Sequence, residues 1–295
     1  MIRVLHVSDV HVDLPVWRIP FRELLGKRVL GAANLVLRRR KHFLHTLAKL
    51  AALARFADEQ RIDVVICTGD YTALGTLAEL EAARRAIEPL ARGRGFVTVP
   101  GNHDVYMPDA VRDRRFERVF GDLLSTDLPG LAGADGWPRV RVFGDQLAVV
   151  SVNSARPNPQ PWRSSGRIPD AQLRALSEAL RDERVAGRNL LIATHYAPRR
   201  ADGSPDRWSH GLENADALLA ICAQAPRSAI LHGHLHDRFH LPGAPMLFGS
   251  GSTTHDGREG LWLFEIERDR GLAVPGAYRD GAYQLEPAAS VQLNG

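Results

Sequence analysis

Seven side chains suited to metal binding follow directly after short apolar runs, at five separate places along the chain. They are Asp9, His11, Asp70, Asn102, His195, His234 and His236. Each run is rich in Val, Ile and Leu, which is typical of a strand buried on both faces. Because ligands bind at the carboxyl ends of the strands in open α/β sheets, we expect these side chains to converge on one edge of the fold.

This set of donors combines carboxylate and amide oxygens with imidazoles, and it contains no thiolate. Such a mixture favours Mn²⁺, Fe or Zn²⁺ over Ca²⁺ or Mg²⁺. Seven ligands are too many for one tetrahedral ion, but they suit two ions that share a bridging carboxylate. The sequence therefore predicts a hydrolase with two divalent ions, for which we expect Mn²⁺, with Fe and Zn²⁺ as the alternatives.

The apolar runs alternate with segments that have helical periodicity. Amphipathic patterns predict helices over 42–60, 77–93, 110–124, 169–183 and 214–224. This alternation predicts an α/β fold, in which helices cover a mixed or parallel sheet. No linker rich in Pro and Gly divides the chain, so we expect one domain over 1–295.

A basic segment interrupts the alternation after the first strand. The residues from Val16 to His42 carry a formal charge of +7, whereas the rest of the chain carries −3. We interpret 15–42 as a basic amphipathic helical insert. Its predicted apolar stripe consists of Trp17, Phe21, Leu24, Leu25, Val29, Ala32, Ala33 and Val36. The insert could contact an anionic membrane, cover the site as a lid, or simply pack on the protein.

Other features of the sequence bear on where the protein works. No apolar run reaches the ~18 residues that a membrane span needs, and the first residues lack the pattern of a secretory signal. We therefore expect a cytoplasmic protein, which the insert could bring into peripheral contact with the inner membrane. Cys67 and Cys222 both lie in apolar runs, so we expect two buried, reduced thiols.

Five short motifs carry a resemblance to a known family. DVHVD, GD, GNHD, TH and GHLH occur in this order, and together they resemble the calcineurin-like metallophosphoesterases. The resemblance extends from Asp9 to about His236, and the tail fits the closing strands of the family. It implies a four-layer sandwich of two mixed β-sheets flanked by helices, and the activity of a metal-dependent phosphoesterase.

The resemblance also implies roles for individual residues. It gives the first ion the ligands Asp9, His11 and His236, the second ion Asn102, His195 and His234, and both ions the bridging Asp70. His103 would face the phosphoryl group, and Asp104 would accept a hydrogen bond from His103 and orient it. A hydroxide bridging the ions would attack phosphorus in line, without a covalent enzyme intermediate.

Two regions bear on the substrate. The insert has a pattern of Lys27, Arg28, Gly31, Asn34 and Arg38. It resembles bacterial members similar to the enzymes that hydrolyse UDP-2,3-diacylglucosamine in lipid A synthesis, although the most widespread of those has Arg in place of His103. The stretch GRIPDAQLRALSEAL is similar to class III cyclic-nucleotide phosphodiesterases. The first interpretation is therefore a lipid-linked phosphodiester or pyrophosphate, and the alternative is a cyclic-nucleotide or general phosphodiesterase.

Four arginines are candidate substrate-binding residues. Arg38 and Arg39 lie in the insert, whereas Arg156 and Arg163 flank Trp162 in a loop rich in Pro and Ser. A non-catalytic scaffold, as in a retromer subunit of this family, is a further hypothesis, but scaffolds can lose ligands and every ligand position here is filled. The chain after the last motif is too short for an added DNA-binding region, so we expect no nucleic-acid partner.

Overall fold

The structure is a computed structural model that describes residues 1–12, 14–225 and 227–293, with only the backbone for residues 38–40. The helices in these ranges are α1 Lys27–Asn34, α2 Thr46–Glu59, α3 Leu77–Ala91, α4 Pro108–Arg112, α5 Arg115–Phe120, α6 Asp170–Arg181 and α7 Ala215–Cys222. The strands are β1 Ile2–Val7, β2 Val64–Cys67, β3 Gly95–Thr98, β4 Arg139–Phe143, β5 Leu147–Ser151, β6 Asn189–Ala193, β7 Ser228–His232, β8 Arg238–Leu241, β9 Met246–Ser250, β10 Leu261–Ile266, β11 Gly271–Arg279, β12 Ala282–Leu285 and β13 Val291–Gln292.

The strands form two mixed sheets. The first has the order β12-β11-β10-β1-β2-β3, with β13 beside β11, and its strands β1, β2 and β3 run parallel. The second has the order β4-β5-β6-β7-β9-β8, and its four central strands run parallel. The predicted α/β fold with two mixed sheets is therefore confirmed.

Apolar side chains fill the space between the sheets. Val4 of the first sheet belongs to the same buried cluster as Val149 and Leu191 of the second. Its neighbour Leu5 points to the opposite face, where α2, α3 and α5 cover the first sheet. Helices α6 and α7 cover the outer face of the second sheet. Both sheets are thus buried on both faces, and the predicted four-layer sandwich is confirmed.

The parallel strands bring the predicted ligands to one edge of the sandwich. Strands β1, β2 and β3 lead into the loops that carry Asp9, Asp70 and Asn102. Strands β6 and β7 of the other sheet lead into the loops that carry His195 and His234. Each sheet therefore supplies part of the site, and the site lies where their carboxyl edges meet.

The insert is helical, but it consists of short pieces and not of one continuous helix. Pro20 and Gly26, whose φ is 61°, separate the first pieces, because proline lacks an N–H and a left-handed glycine ends the helical path. The expected single apolar stripe is therefore broken. Around α1 the pieces are the 3₁₀ turns Val16–Arg18, Phe21–Glu23 and Arg40–His42 and the π-helical turn Leu35–Arg39.

The side chains of the insert point in unexpected directions. Arg28, which the pattern places on the solvated side, is buried and pairs with Asp109 at 2.8 and 2.9 Å. Ile19 and Leu35 pack against Leu74. In contrast, several residues of the predicted stripe are exposed, namely Trp17, Phe21, Leu25, Val29 and Val36. No helix in the described ranges has both the length and the apolar character to cross a bilayer.

The two cysteines generate a prediction about reactivity. Cys67 and Cys222 are buried free thiols, and burial raises the pKa of each to about 12. At pH 8 the thiolate fraction of each is therefore about a thousandfold below that of an ordinary thiol. We expect dithiobis(nitrobenzoate) to leave both thiols of the native protein unmodified over minutes and to modify both at once in guanidinium. Rapid modification of the native protein would contradict this prediction.

Candidate metal centre

Asp9, His11 and His236 form the first group of donor atoms. Nε2 of His236 lies 3.1 Å from Oδ1 of Asp9 and 3.2 Å from Nε2 of His11. Nε2 of His11 lies 3.9 Å from the same oxygen of Asp9. Ligands that sit about 2.1 Å from one ion are separated by roughly 3 Å when they are at right angles and by up to about 4.2 Å when they are opposite, so these three separations fit three ligands of one ion.

Asn102, His195 and His234 form the second group. Oδ1 of Asn102 lies 3.1 Å from Nε2 of His195 and 3.0 Å from Nδ1 of His234. Asp70 lies between the two groups, because its Oδ2 is 3.5 Å from Nε2 of His195 and 3.9 Å from Nε2 of His11. The structure thus brings all seven candidate ligands together, with Asp70 between the two sets.

Hydrogen bonds to the backbone set the orientation of the imidazoles. Nδ1 of His11 donates to the carbonyl oxygen of Thr72 at 2.9 Å, and Nδ1 of His195 donates to that of Thr68 at 2.7 Å. A carbonyl oxygen only accepts, so each Nδ1 carries the proton and each Nε2 presents its lone pair to the centre. His234 has the opposite orientation, since its Nε2 lies 3.1 Å from the carbonyl oxygen of His210.

The charges at the centre also suit divalent ions. Burial alone would raise the pKa of Asp9, but His236, together with His195 and Ser8, outweighs this effect and the pKa is lowered. Burial, and then His210, hold the pKa of His234 well below its ordinary value. An ionised carboxylate and neutral imidazoles are the forms that bind metal. In addition, Oδ1 of Asp9 is buried and lies 3.1 Å from Nε2 of His236, so this oxygen faces the other donors of the first group.

Backbone strain is concentrated at the centre. In the described ranges eight residues other than glycine have a positive φ, and five of them are candidate ligands: Asp9, His11, Asp70, His234 and His236. A left-handed backbone costs a residue with a side chain roughly 1–3 kcal/mol, and such strain persists where the surroundings enforce it. The surrounding structure therefore holds these donors in a backbone conformation that residues with a side chain rarely adopt.

His103 and Asp104 are oriented differently from the sequence-based expectation. Nδ1 of His103 donates to the carbonyl oxygen of Ala73 at 2.7 Å, so the predicted hydrogen bond from His103 to Asp104 is wrong. The Asp104 carboxylate turns back into its own loop and accepts backbone N–H groups at 2.8 to 3.1 Å. These belong to Asp70, Tyr71, Thr72 and Gly101. Burial, and then Asp70, raise the pKa of Asp104 to about 7.

A cavity of 740 Å³ opens beside the candidate ligands, and His103 lines it. The insert forms one wall, and residues 161–164 of the loop between β5 and α6 form another. Lys27 joins the two walls, because its Nζ donates to the carbonyl oxygens of Asn158 at 2.8 Å and Arg163 at 3.0 Å. The cavity is therefore bounded by two segments that are far apart in the sequence.

The candidate substrate-binding arginines are distributed unevenly around this cavity. Arg163 lines it and Arg156 does not. Both guanidinium groups pair with the carboxylate of Glu213, so much of their charge is used to hold the loop. The side chains of Arg38 and Arg39 lie outside the described part of the chain.

Some residues of the cavity carry no recognisable signal in the sequence. His210 lines it, with its Nδ1 at 2.5 Å from the Asp206 carboxylate and its ring centre at 4.1 Å from that of His234. His210 does not follow an apolar run, so the rule that candidate ligands follow predicted strands does not predict it. His255 also lines the cavity, and its ring stacks on that of His42 with 4.8 Å between the ring centres.

The fold and the paired groups of donors are those of an α/β protein with a candidate site for two metal ions. Comparison with known proteins makes this more specific. Residues 2–238 match the family model of the calcineurin-like phosphoesterases, and the chain belongs to this family. It is a metal-dependent hydrolase of phosphoesters.

One relative has a named substrate. The chain is 30% identical over 227 residues to the 3′,5′-cyclic adenosine monophosphate phosphodiesterase CpdA of Pseudomonas aeruginosa. The match covers 76% of this chain and 72% of the relative. At this identity the comparison supports the family and the class of reaction.

Solved structures show the same fold at low sequence identity. A dimetal phosphatase from Danio rerio has a TM-score of 0.63 at 12% identity, covering 99% of this chain and 98% of that one. A purple acid phosphatase from yellow lupin has a TM-score of 0.60 at 13% identity, covering 99% of this chain and 53% of that one. Both likenesses concern the architecture alone.

The glycine of the GNHD motif generates a test of the centre. A Cβ on Gly101 would overlap the carboxylate of Asp70. We therefore expect Gly101→Ala, after treatment with Mn²⁺, to hold less metal than the parent by mass spectrometry. Since misplacing a catalytic group by about 1 Å can cost a hundredfold in rate, hydrolysis of bis-p-nitrophenyl phosphate should fall by about that factor.

Gly130→Ala is the matched control for Gly101→Ala. A Cβ on Gly130 meets no atom within 4 Å, so this variant should keep the metal content and rate of the parent. Circular dichroism of both variants separates loss of the centre from loss of the fold. Equal metal content in Gly101→Ala and Gly130→Ala would show that the close approach of Gly101 to Asp70 does not matter for the centre.

Proposed function

We propose that the protein hydrolyses a phosphodiester or pyrophosphate bond of a lipid-linked substrate, such as UDP-2,3-diacylglucosamine in lipid A synthesis. One observation carries this proposal. The insert lines the cavity with Lys27, Gly31, Asn34 and Leu35, and elsewhere it exposes large apolar side chains. A segment of this kind can meet the apolar part of a substrate while the phosphate reaches the metal centre.

The exposed apolar surface is concentrated in one part of the chain. Thirteen large apolar side chains are exposed in the described residues, and nine of them lie between Trp17 and Leu47. Phe21 is 84% exposed and Leu37 is 79% exposed. Large exposed apolar patches mark binding sites or membrane contacts more often than ordinary solvated surface.

Basic residues accompany this apolar surface. Arg18, Arg22 and Lys41 of the insert are exposed. Exposed cations near a membrane are attracted to anionic headgroups, and each contributes about 1 kcal/mol. We infer that the insert makes peripheral contact with an anionic membrane surface, such as the inner membrane, from which a lipid-linked substrate can reach the cavity.

The insert is anchored firmly enough to keep this face outward. Besides the pair with Asp109, Arg28 donates to the carbonyl oxygens of Leu74 at 2.9 Å and Gly75 at 3.2 Å. The carboxylate of Glu23 accepts the backbone N–H of Leu77 at 3.0 Å. Removing one partner of a buried ion pair typically costs 3–5 kcal/mol. We therefore infer that 15–42 is an integral part of one catalytic domain over 1–295.

The candidate ligands have distinct tasks in the proposed reaction. Asp9, His11 and His236 would hold one divalent ion, Asn102, His195 and His234 the other, and Asp70 would contact both. Two bound ions polarise a phosphoryl oxygen and lower the pKa of water. The mixed oxygen and imidazole set favours Mn²⁺, with Fe or Zn²⁺ as alternatives. The neutral amide of Asn102 adds no negative charge to its group of donors.

His103 is the proposed proton donor or phosphate contact. The carbonyl oxygen of Ala73 fixes its Nδ1–H group, and the ring of Tyr106 stacks on it with 5.7 Å between ring centres. These contacts orient an imidazole that lines the cavity. When the ring carries a second proton, on Nε2, this N–H could stabilise charge on the phosphoryl group or pass its proton to the leaving oxygen. Asp104 would act on the reaction only through the loops that it holds.

The roles proposed for His103 and Asp104 lead to opposite predictions for metal binding. His103→Ala should lower kcat by about 10² to 10⁴, since general acid catalysis contributes this much, and should keep the metal content of the parent. Asp104→Ala should lose metal, because it frees the N–H groups that position Asp70. Metal analysis and steady-state rates on bis-p-nitrophenyl phosphate test both. An unchanged kcat in His103→Ala would exclude its proposed role.

The lipid-linked substrate is tested by comparing UDP-2,3-diacylglucosamine in mixed micelles with cyclic AMP. We expect a higher kcat/KM for the lipid nucleotide. Replacing both Phe21 and Leu37 by Ser should raise its KM at least about tenfold, since burying each side chain is worth about 1.5–3 kcal/mol. The same variant should bind less to vesicles that contain phosphatidylglycerol. Val111→Ser, at a residue that is 47% exposed outside the insert, is the matched control.

A cyclic-nucleotide phosphodiesterase is the second candidate function. The specific observation in its favour is the CpdA relative, whose name states hydrolysis of cyclic AMP. In this case cyclic AMP would be turned over far better than the lipid nucleotide, and substitution of Phe21 and Leu37 would change nothing. That combined result would overturn the lipid-linked proposal and support the second candidate.

A further inference from the structure

We propose that Trp162 provides the surface on which the base of a nucleotide substrate stacks. The inference rests on the proposed function only in requiring a nucleotide, and both UDP-2,3-diacylglucosamine and cyclic AMP contain one. Trp162 lines the same cavity as His103 and His234, and 73% of its surface is exposed. An indole at the edge of a cavity offers a flat apolar face, and every nucleobase has a face that can stack on it.

The loop that carries Trp162 is tied to its surroundings on several sides. The hydroxyl of Tyr196 donates to the carbonyl oxygen of Ser164. The backbone N–H of Ser164 donates to the carbonyl oxygen of Ser209 at 2.8 Å. Glu213 pairs with the adjacent Arg163, and Lys27 donates to the carbonyl oxygen of the same residue. The exposed indole is therefore presented by a fixed backbone. A surface that is already in place costs less conformational entropy on binding than one that must be ordered.

Other aromatic rings near the cavity are already engaged. The ring of Tyr106 stacks on His103, and Nζ of Lys27 lies 4.7 Å from its centre. Trp208 is 72% exposed, but it lines a separate cavity and the guanidinium of Arg163 lies 5.8 Å from its ring. Among the described Phe, Tyr and Trp side chains, Trp162 is thus the one that both lines the catalytic cavity and is largely exposed.

The cavity has room for this arrangement. Its 740 Å³ lies within the range of about 300–1,000 Å³ that small-molecule sites occupy. The insert forms one wall, and the segment with Trp162 forms another. A base on Trp162 would leave the insert wall to the rest of the substrate. Trp162 would therefore determine affinity for the nucleoside part and would take no part in cleavage.

The experiment uses Trp162→Ala, Trp162→Phe and, as a matched control, Trp208→Ala. Uridine and adenosine 5′-monophosphates are titrated onto the full-length protein loaded with Mn²⁺, by calorimetry. Base stacking on an aromatic side chain is worth about a fivefold to 150-fold change in Kd. We expect Trp162→Ala to weaken both nucleotides about tenfold, Trp162→Phe to restore most of the affinity, and Trp208→Ala to match the parent.

Steady-state kinetics provide the second measurement. With a nucleotide substrate, Trp162→Ala should raise KM about tenfold and change kcat less than about twofold. With glycerophosphoethanolamine, a diester without a base, KM should stay the same. Equal nucleotide affinity in Trp162→Ala and the parent would overturn the inference. If that variant also lost vesicle binding, Trp162 would be a membrane contact and not a surface for the base. Nucleotide binding that depends on Trp162, without turnover of the lipid nucleotide, would support the inference and refute only the lipid-linked proposal.

Discussion

The carboxylate of Asp104 is the interaction on which the site depends. It accepts backbone N–H groups from Gly101 in its own loop and from Asp70, Tyr71 and Thr72 in the loop after β2. Its pKa of about 7 means that this carboxyl is mostly ionised only above neutral pH, and in that form each of these hydrogen bonds is worth about 1.5–3 kcal/mol. This is of the same order as the strain of the left-handed residues nearby. One buried side chain thus holds two loops of the first sheet in the register that the donors require.

The sequence was sufficient to find the seven candidate ligands, because strands buried on both faces have a strong apolar signal and the ligands follow their ends. The sequence was not sufficient to predict the hydrogen-bond partners of Asp104, since the direction of its side chain depends on how two loops meet after folding. His210 was missed for a related reason. It reaches the cavity from a loop without periodicity, and only the tertiary structure places it beside His234.

The orientation of the insert is another feature that depends on the tertiary structure. Its composition indicates an amphipathic segment, but a periodic pattern does not reveal which face turns inward. Here Arg28 turns inward, because Asp109 and two carbonyl oxygens satisfy its guanidinium. Phe21 and Leu37 remain outside. The usual arrangement of apolar residues inside and charges outside is therefore partly inverted, and this inversion gives the wall of the cavity its apolar outer surface.

The division of the donors between two sheets has a consequence for folding. Each group combines donors from loops of the first sheet with at least one histidine from the second, as His236 joins Asp9 and His195 joins Asn102. Neither ion could find its full set of ligands before the two sheets meet. Because ligand binding to the folded state alone stabilises that state, metal binding and assembly of the sandwich are thermodynamically coupled. Bound ions would therefore act as crosslinks between the two halves of the protein.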